Sequence, residues 1–193
     1  MTPLETLHEK MMQKLKEELK KIWKKQIREN YKTLISERHL QAEIYKHLSI
    51  SLRIIDKDFS ILVEPRLFIK VGRSNKTTIP DLVVIFREQI IGVIELKFTP
   101  NSYAAWESDF KKLISFAKEV PKLNLKSTKA LVKDSLEGTE NLEIPNHCLC
   151  CFAVITKDNS MALKDDIWKK FPTENRLHLK GRVKEKITTF ITV

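Results

Sequence analysis

Three ionisable residues sit inside an apolar hairpin. In TIPDLVVIFREQIIGVIELKF, residues 78–98, two apolar runs flank the break Arg87-Glu88-Gln89-Ile90, the pattern of two strands and a turn. Asp81 opens the first run, and Glu95 and Lys97 lie inside the second. Strand alternation puts Val93, Glu95 and Lys97 on one face and Ile94, Leu96 and Phe98 on the other. Asp81 approaches the charged face if the hairpin splays at its start. Two carboxylates brought together repel, and a pKa rises unless a cation intervenes. A hard divalent ion such as Mg²⁺ relieves that repulsion, since it takes oxygen ligands and keeps several waters. Such an ion polarises a phosphoryl oxygen and lowers the pKa of water bound to it. A lysine alongside can position or deprotonate an attacking water, or stabilise charge developing on phosphorus.

The acidic-x-Lys triplet carries this reading only because of where it falls. ELK at 18–20 and DFK at 109–111 match it too, but both lie in helical patterns, where first and third residues diverge by about 200°. Glu95 and Lys97 lie in a run that is otherwise apolar on both faces, as in a central buried strand. Exposed neighbours on a half-solvated strand explain that pattern less well.

The elements that must hold these residues are legible around them. Residues 3–33 carry one helical stripe, Leu4, Leu7, Met11, Leu15, Leu19, Ile22 and Gln26, with Pro3 suited to the first turn. Such a stripe packs on its own domain or pairs with another copy. A second helix starts at Ser36, a capping residue, and its apolar positions are Leu40, Ile44 and Leu48. Glu37 shares that face one turn earlier, whereas Glu43 points roughly 120° away. FSILVEPRLFI, 59–69, reads as a first strand with an edge or bulge at Pro65, followed by the basic loop KVGRSNKTT. Glu64 in this strand reads as an edge charge. After the hairpin, residues 102–120 read as a helix ended by Pro121, on which Asp109 and Lys112 read as solvated. An irregular connection with a short helix near 128–136 leads to LCCFAVIT, a buried strand at 149–156. A short helix at 162–170 and the late strands RLHLKG and ITTFITV close the chain.

Composition bounds the class. The 193 residues are 42% hydrophobic and 31% charged, enough for one domain with a sizeable core. No run reaches the roughly 18 apolar residues of a membrane span, and no signal-peptide pattern opens the chain, so a cytoplasmic protein is expected. The formal charge of +10 suits a polyanionic partner, nucleic acid before a membrane surface. Lys70, Arg73 and Lys76, just before the hairpin, are the candidate phosphate contacts. The cysteines, Cys148, Cys150 and Cys151, are odd in number and crowded on one strand, where alternation turns Cys151 away from the others. They read as buried thiols of a reducing compartment rather than as a metal cage.

Pro80-Asp81, a hairpin-length gap and Glu95-Leu96-Lys97 together resemble the PD-(D/E)xK nuclease superfamily, and the order helix, three strands, helix, strand over residues 36–156 is similar to its core. The resemblance implies an α/β, restriction-endonuclease-like fold: a mixed central sheet flanked by helices in 36–193, with 1–35 an N-terminal appendage or dimerisation helix. It implies an Mg²⁺-dependent DNA endonuclease, Mn²⁺ able to substitute, in which Asp81, Glu95 and the Leu96 carbonyl hold the metal and Lys97 is catalytic. Glu37 would be the helper acid that many members bring from the first core helix. The implied partner is duplex or branched DNA, with a homodimer as one arrangement and no membrane. The alternative is a catalytically silent nucleic-acid-binding or assembly module on the same fold.

Overall fold

A computed structural model describes residues 3–71, 74–87, 89–101, 109, 113, 123–124, 141–142, 148–157, 175–184 and 187–192. Helix α1 (Pro3–Ile22) continues through a π turn (Trp23–Ile27), α2 (Arg28–Asn30) and a 3₁₀ turn (Tyr31–Thr33). Its stripe is buried: Met11, Leu15, Leu19 and Ile22 share one core with the sheet. The wider π turn shifts the helical phase. Trp23 and Ile27 therefore become fully buried, while Gln26, which regular spacing assigns to the stripe, stays half-buried. The Trp23 indole N–H donates to the Lys180 carbonyl at 3.3 Å, tying this turn to the far side of the sheet. The stripe that spacing leaves to own-domain packing or to a second copy is thus buried within this chain.

Helix α3 (Glu37–Ile55) begins where Ser36 caps it, the hydroxyl accepting from His39 N–H at 3.1 Å. Leu40, Ile44, Leu48 and Leu52 are buried in the shared core.

The main sheet is mixed. Its order is β1 (Phe59–Val63), β4 (Leu82–Phe86), β5 (Gln89–Thr99), β8 (Leu149–Lys157), β9 (Arg176–Lys184) and β10 (Ile187–Thr192). β5, β8 and β9 run parallel, and the remaining pairs are antiparallel. The extension expected after residue 156 is therefore part of the sheet. β5 occupies an interior position, as its two-sided apolar pattern requires.

Two local readings change. The strand expected over 59–69 ends at Val63, because Glu64 turns to φ 47° and Pro65 has no N–H for the ladder. The chain then forms a separate hairpin of β2 (Leu67–Val71) and β3 (Ser74–Thr78) where a basic loop was expected. The β4–β5 turn is also tighter than the four-residue break, with Arg87 at φ 47°. Arg87 Nε holds Asp58 Oδ2 at 3.0 Å there. Two further two-residue strands, β6 (Leu123–Asn124) and β7 (Asn141–Leu142), pair with each other. Of the helix expected over 102–120, Asp109 and Leu113 are described and both are helical. The helices expected at 128–136 and 162–170 lie outside the described residues.

The two faces of the sheet differ. Leu82, Val84, Ile94, Leu96, Cys151 and Ala153 join α1 and α3 in one apolar cluster. Gly92 lets α1 approach closely, since a Cβ there would lie 2.5 Å from Leu15 Cδ2. The opposite face carries Val83, Val93, Cys150, Phe152 and Val154, and Cys150 Sγ lies 3.8 Å from the Leu113 carbonyl. No described helix is long and apolar enough to cross a membrane.

Candidate functional site

The hairpin register brings the two acids of the motif together. Leu82 pairs with Ile94, so one step further along the antiparallel ladder Asp81 falls opposite Glu95, just beyond the end of β4. Asp81 is held there at both its backbone and its side chain. Its carbonyl accepts from Gln41 Nε2 at 3.0 Å and from Glu64 N–H at 3.0 Å. Its carboxylate Oδ2 accepts from Leu96 N–H at 2.6 Å, a charge-assisted bond. Glu64 reaches this position in the left-handed region, at a cost of roughly 1–2 kcal/mol for a residue with a Cβ. Its side chain is exposed, in keeping with an edge charge, while its N–H fixes Asp81.

In an antiparallel ladder the N–H and C=O of one residue point to the same neighbour. The Leu96 carbonyl therefore faces the β4 side, next to Asp81 and beyond the last ladder pair. Glu95 is only 1% exposed, enclosed between Asp81 and Phe152, its register partner on β8. Asp81, Glu95 and the Leu96 carbonyl offer oxygen ligands of the kind a hard cation takes. Among the described residues, no group of three or more His, Cys, Asp or Glu side chains converges on one metal position. Mg²⁺ is commonly held by only one or two carboxylates with waters, so this donor set fits it in kind.

Lys97 follows two residues along the same face. Its ammonium lies 3.3 Å from Asp109 Oδ2 and 3.6 Å from Glu37 Oε2. Partial burial pulls its pKa down, but Asp109 and then Glu37 outweigh that and leave it raised. Lys97 is thus an ammonium at neutral pH, able to donate hydrogen bonds and stabilise negative charge. Glu37 also accepts from Phe98 N–H at 3.3 Å, so α3 delivers it to the end of β5. Glu43 instead pairs along its own helix, with Lys46 at 3.8 Å and His47 at 3.4 Å.

Two residues around the site escape a reading by motif. Asp109 is buried at 8% exposure, where solvation was expected. It lies four residues before the buried Leu113, on the same helical face, and that spacing was the available signal. Gln41 is buried too, one turn after Glu37, a polar residue on the apolar side of α3. Lys70 and Lys76 belong to the β2–β3 hairpin, and Arg73 lies outside the described residues.

Farther across the same face, Glu95, Phe152 and His178 stand in register on β5, β8 and β9. Burial, with Lys180 and Arg182 nearby, pushes the His178 pKa down to about 3. Burial pushes the Cys150 thiol up to about 12 and raises those of Cys148 and Cys151 as well. Protonated thiols of this kind are poor ligands and poor nucleophiles.

The chain matches no family model, and neither a curated protein nor a solved structure aligns with it.

Proposed function

We propose that this chain is a divalent-metal-dependent nuclease with a restriction-endonuclease-like core, hydrolysing phosphodiester bonds in DNA. The observation that carries the reading is the Asp81–Glu95 pairing at the open end of β4, with Lys97 on the same face and Glu37 arriving from α3. Asp81, Glu95 and the Leu96 carbonyl would hold Mg²⁺ or Mn²⁺. When bound, the ion supplies Lewis-acid polarisation of a phosphoryl oxygen and a lowered pKa for water. Lys97, kept cationic by its carboxylate neighbours, orients the attacking water or stabilises charge on the phosphoryl oxygens. Glu37, an acceptor 3.6 Å from that ammonium, helps aim it. The +10 charge favours the polyanionic substrate, with Lys70, Arg73 and Lys76 as dispersed phosphate contacts.

A second reading, a silent nucleic-acid-binding module, draws on the same charge and on Lys97 being engaged by two carboxylates. One experiment separates them. Duplex, branched and single-stranded DNA are incubated with Mg²⁺ or Mn²⁺ beside Lys97→Ala and Asp81→Asn, and metal binding is followed by calorimetry. The nuclease reading expects cleavage by wild type alone and weakened metal binding in Asp81→Asn. DNA retention without cleavage by wild type supports the silent module.

A further inference from the structure

We infer that Asp109 is the positioning residue for Lys97, anchoring its ammonium independently of the metal donor set; this rests on the nuclease reading above. A lysine ammonium sits on a flexible four-carbon stem and has no geometry of its own. Here carboxylates from two different elements fix it, Glu37 from α3 and Asp109 from the helical segment after β5.

The two anchors are unequal. Asp109 is closer, at 3.3 Å against 3.6 Å, and its side chain is 12% exposed against 40% for Glu37. Coulomb attraction grows as solvent is excluded, so the Asp109 contact is the stronger and less easily screened of the pair. Glu37 has a competing claim, since the same Oε2 accepts from Phe98 N–H. Asp109, the more deeply enclosed of the two, is the costlier carboxylate to separate from the ammonium. Among the described residues, the other acids of the motif are Glu95, two residues back on the same strand, and Asp81, opposite Glu95 across the hairpin, both in the proposed donor set. Val154, the register partner on β8, is apolar. Asp109 thus holds the Lys97 ammonium in place while Glu37 is shared with the β5 backbone.

Asp109→Asn, isosteric and neutral, is the test, with Asp109→Glu as the charge-retaining control. In Asp109→Asn, kcat should fall about 10- to 100-fold, while KM and calorimetric Mg²⁺ affinity stay within about twofold. Asp109→Glu should recover at least about a third of the wild-type rate. Wild-type kcat in Asp109→Asn overturns the inference, as does an equal loss in the Glu variant. Mg²⁺ affinity at least tenfold weaker also overturns it, by making Asp109 a ligand. Denaturant unfolding reads the pair without any activity. Asp109→Asn should lower the midpoint of wild type but not that of Lys97→Ala, and additive midpoints would overturn the coupling. If wild type cleaves no DNA while the unfolding cycle shows coupling, the nuclease reading fails and the anchoring of Lys97 stands.

Discussion

β5 presents one strand to two environments. Ile94 and Leu96 enter the apolar core with α1 and α3, while Glu95 and Lys97, one residue out of phase, face the Asp109 side. Both faces exclude most water, since Ile94 and Glu95 are 0% and 1% exposed. They differ in what covers them. Over the core face the helices bring Leu15, Leu19, Leu40 and Ile44. Over the other face the nearest described helical positions bring a carboxylate and a leucine. Apolar burial stabilises by roughly 1.5–3 kcal/mol per large aliphatic side chain. Buried ion pairs return little net stability after desolvation. The two faces of the strand thus rest on different physics, apolar packing on one and paired charge on the other.

The sharpest break of this contrast is a pair of neighbouring substitutions. Lys97→Ala should lower the cleavage rate per folded molecule by about 10²–10⁴ with most DNA affinity kept, and it should also cost some stability, because Asp109 stays buried without the Lys97 ammonium. Ile94→Ala, on the core face, should instead cost about 2–5 kcal/mol in denaturant unfolding, with cleavage per folded molecule little changed. Cleavage per folded molecule lost in Ile94→Ala and kept in Lys97→Ala would erase the distinction between the faces. Glu37→Gln comes next, with an expected loss of at least about tenfold in rate at saturating Mg²⁺. Glu43→Gln, engaged with Lys46 and His47, should leave the rate within about twofold, and a large loss there would reverse the helix phase.

A pH experiment distinguishes the faces without a substrate. His178 has its pKa lowered from 6.5 to about 3, so in this window the unfolded chain binds more protons than the folded one. Its contribution to stability is complete above about pH 6.5 and is lost as pH falls towards 3. His178→Gln should flatten the thermal midpoint across that range relative to wild type. An unchanged slope would show that other groups govern it. The smallest effect expected is that of Ser36→Ala, about 1 kcal/mol from the lost α3 cap. Calorimetric melting should resolve it.

Periodicity carried the sequence a long way. The stripe of α1, the Ser36 start of α3, the opposite facing of Cys150 and Cys151 and the interior position of β5 all follow from repeats of 3.6 or 2 residues. These are local properties, written in neighbouring side chains. Pro65 marked a break in the first strand, but whether the chain then looped or paired depended on partners the pattern does not name. Hence β2 and β3 form their own hairpin.

The site divides in the same way. Alternation alone put Glu95 and Lys97 on one face, because a strand turns each residue by half a revolution. Helix phase alone set Glu37 apart from Glu43. The hairpin register decided that Asp81 falls opposite Glu95, and packing of α3 decided that Gln41 reaches the Asp81 carbonyl. Only the tertiary structure joins Lys97 to Asp109, because that contact depends on how the chain after β5 returns over the sheet. Spacing can state which way a side chain points along its own element. Which charge waits there is a property of two elements meeting, and no single segment encodes it.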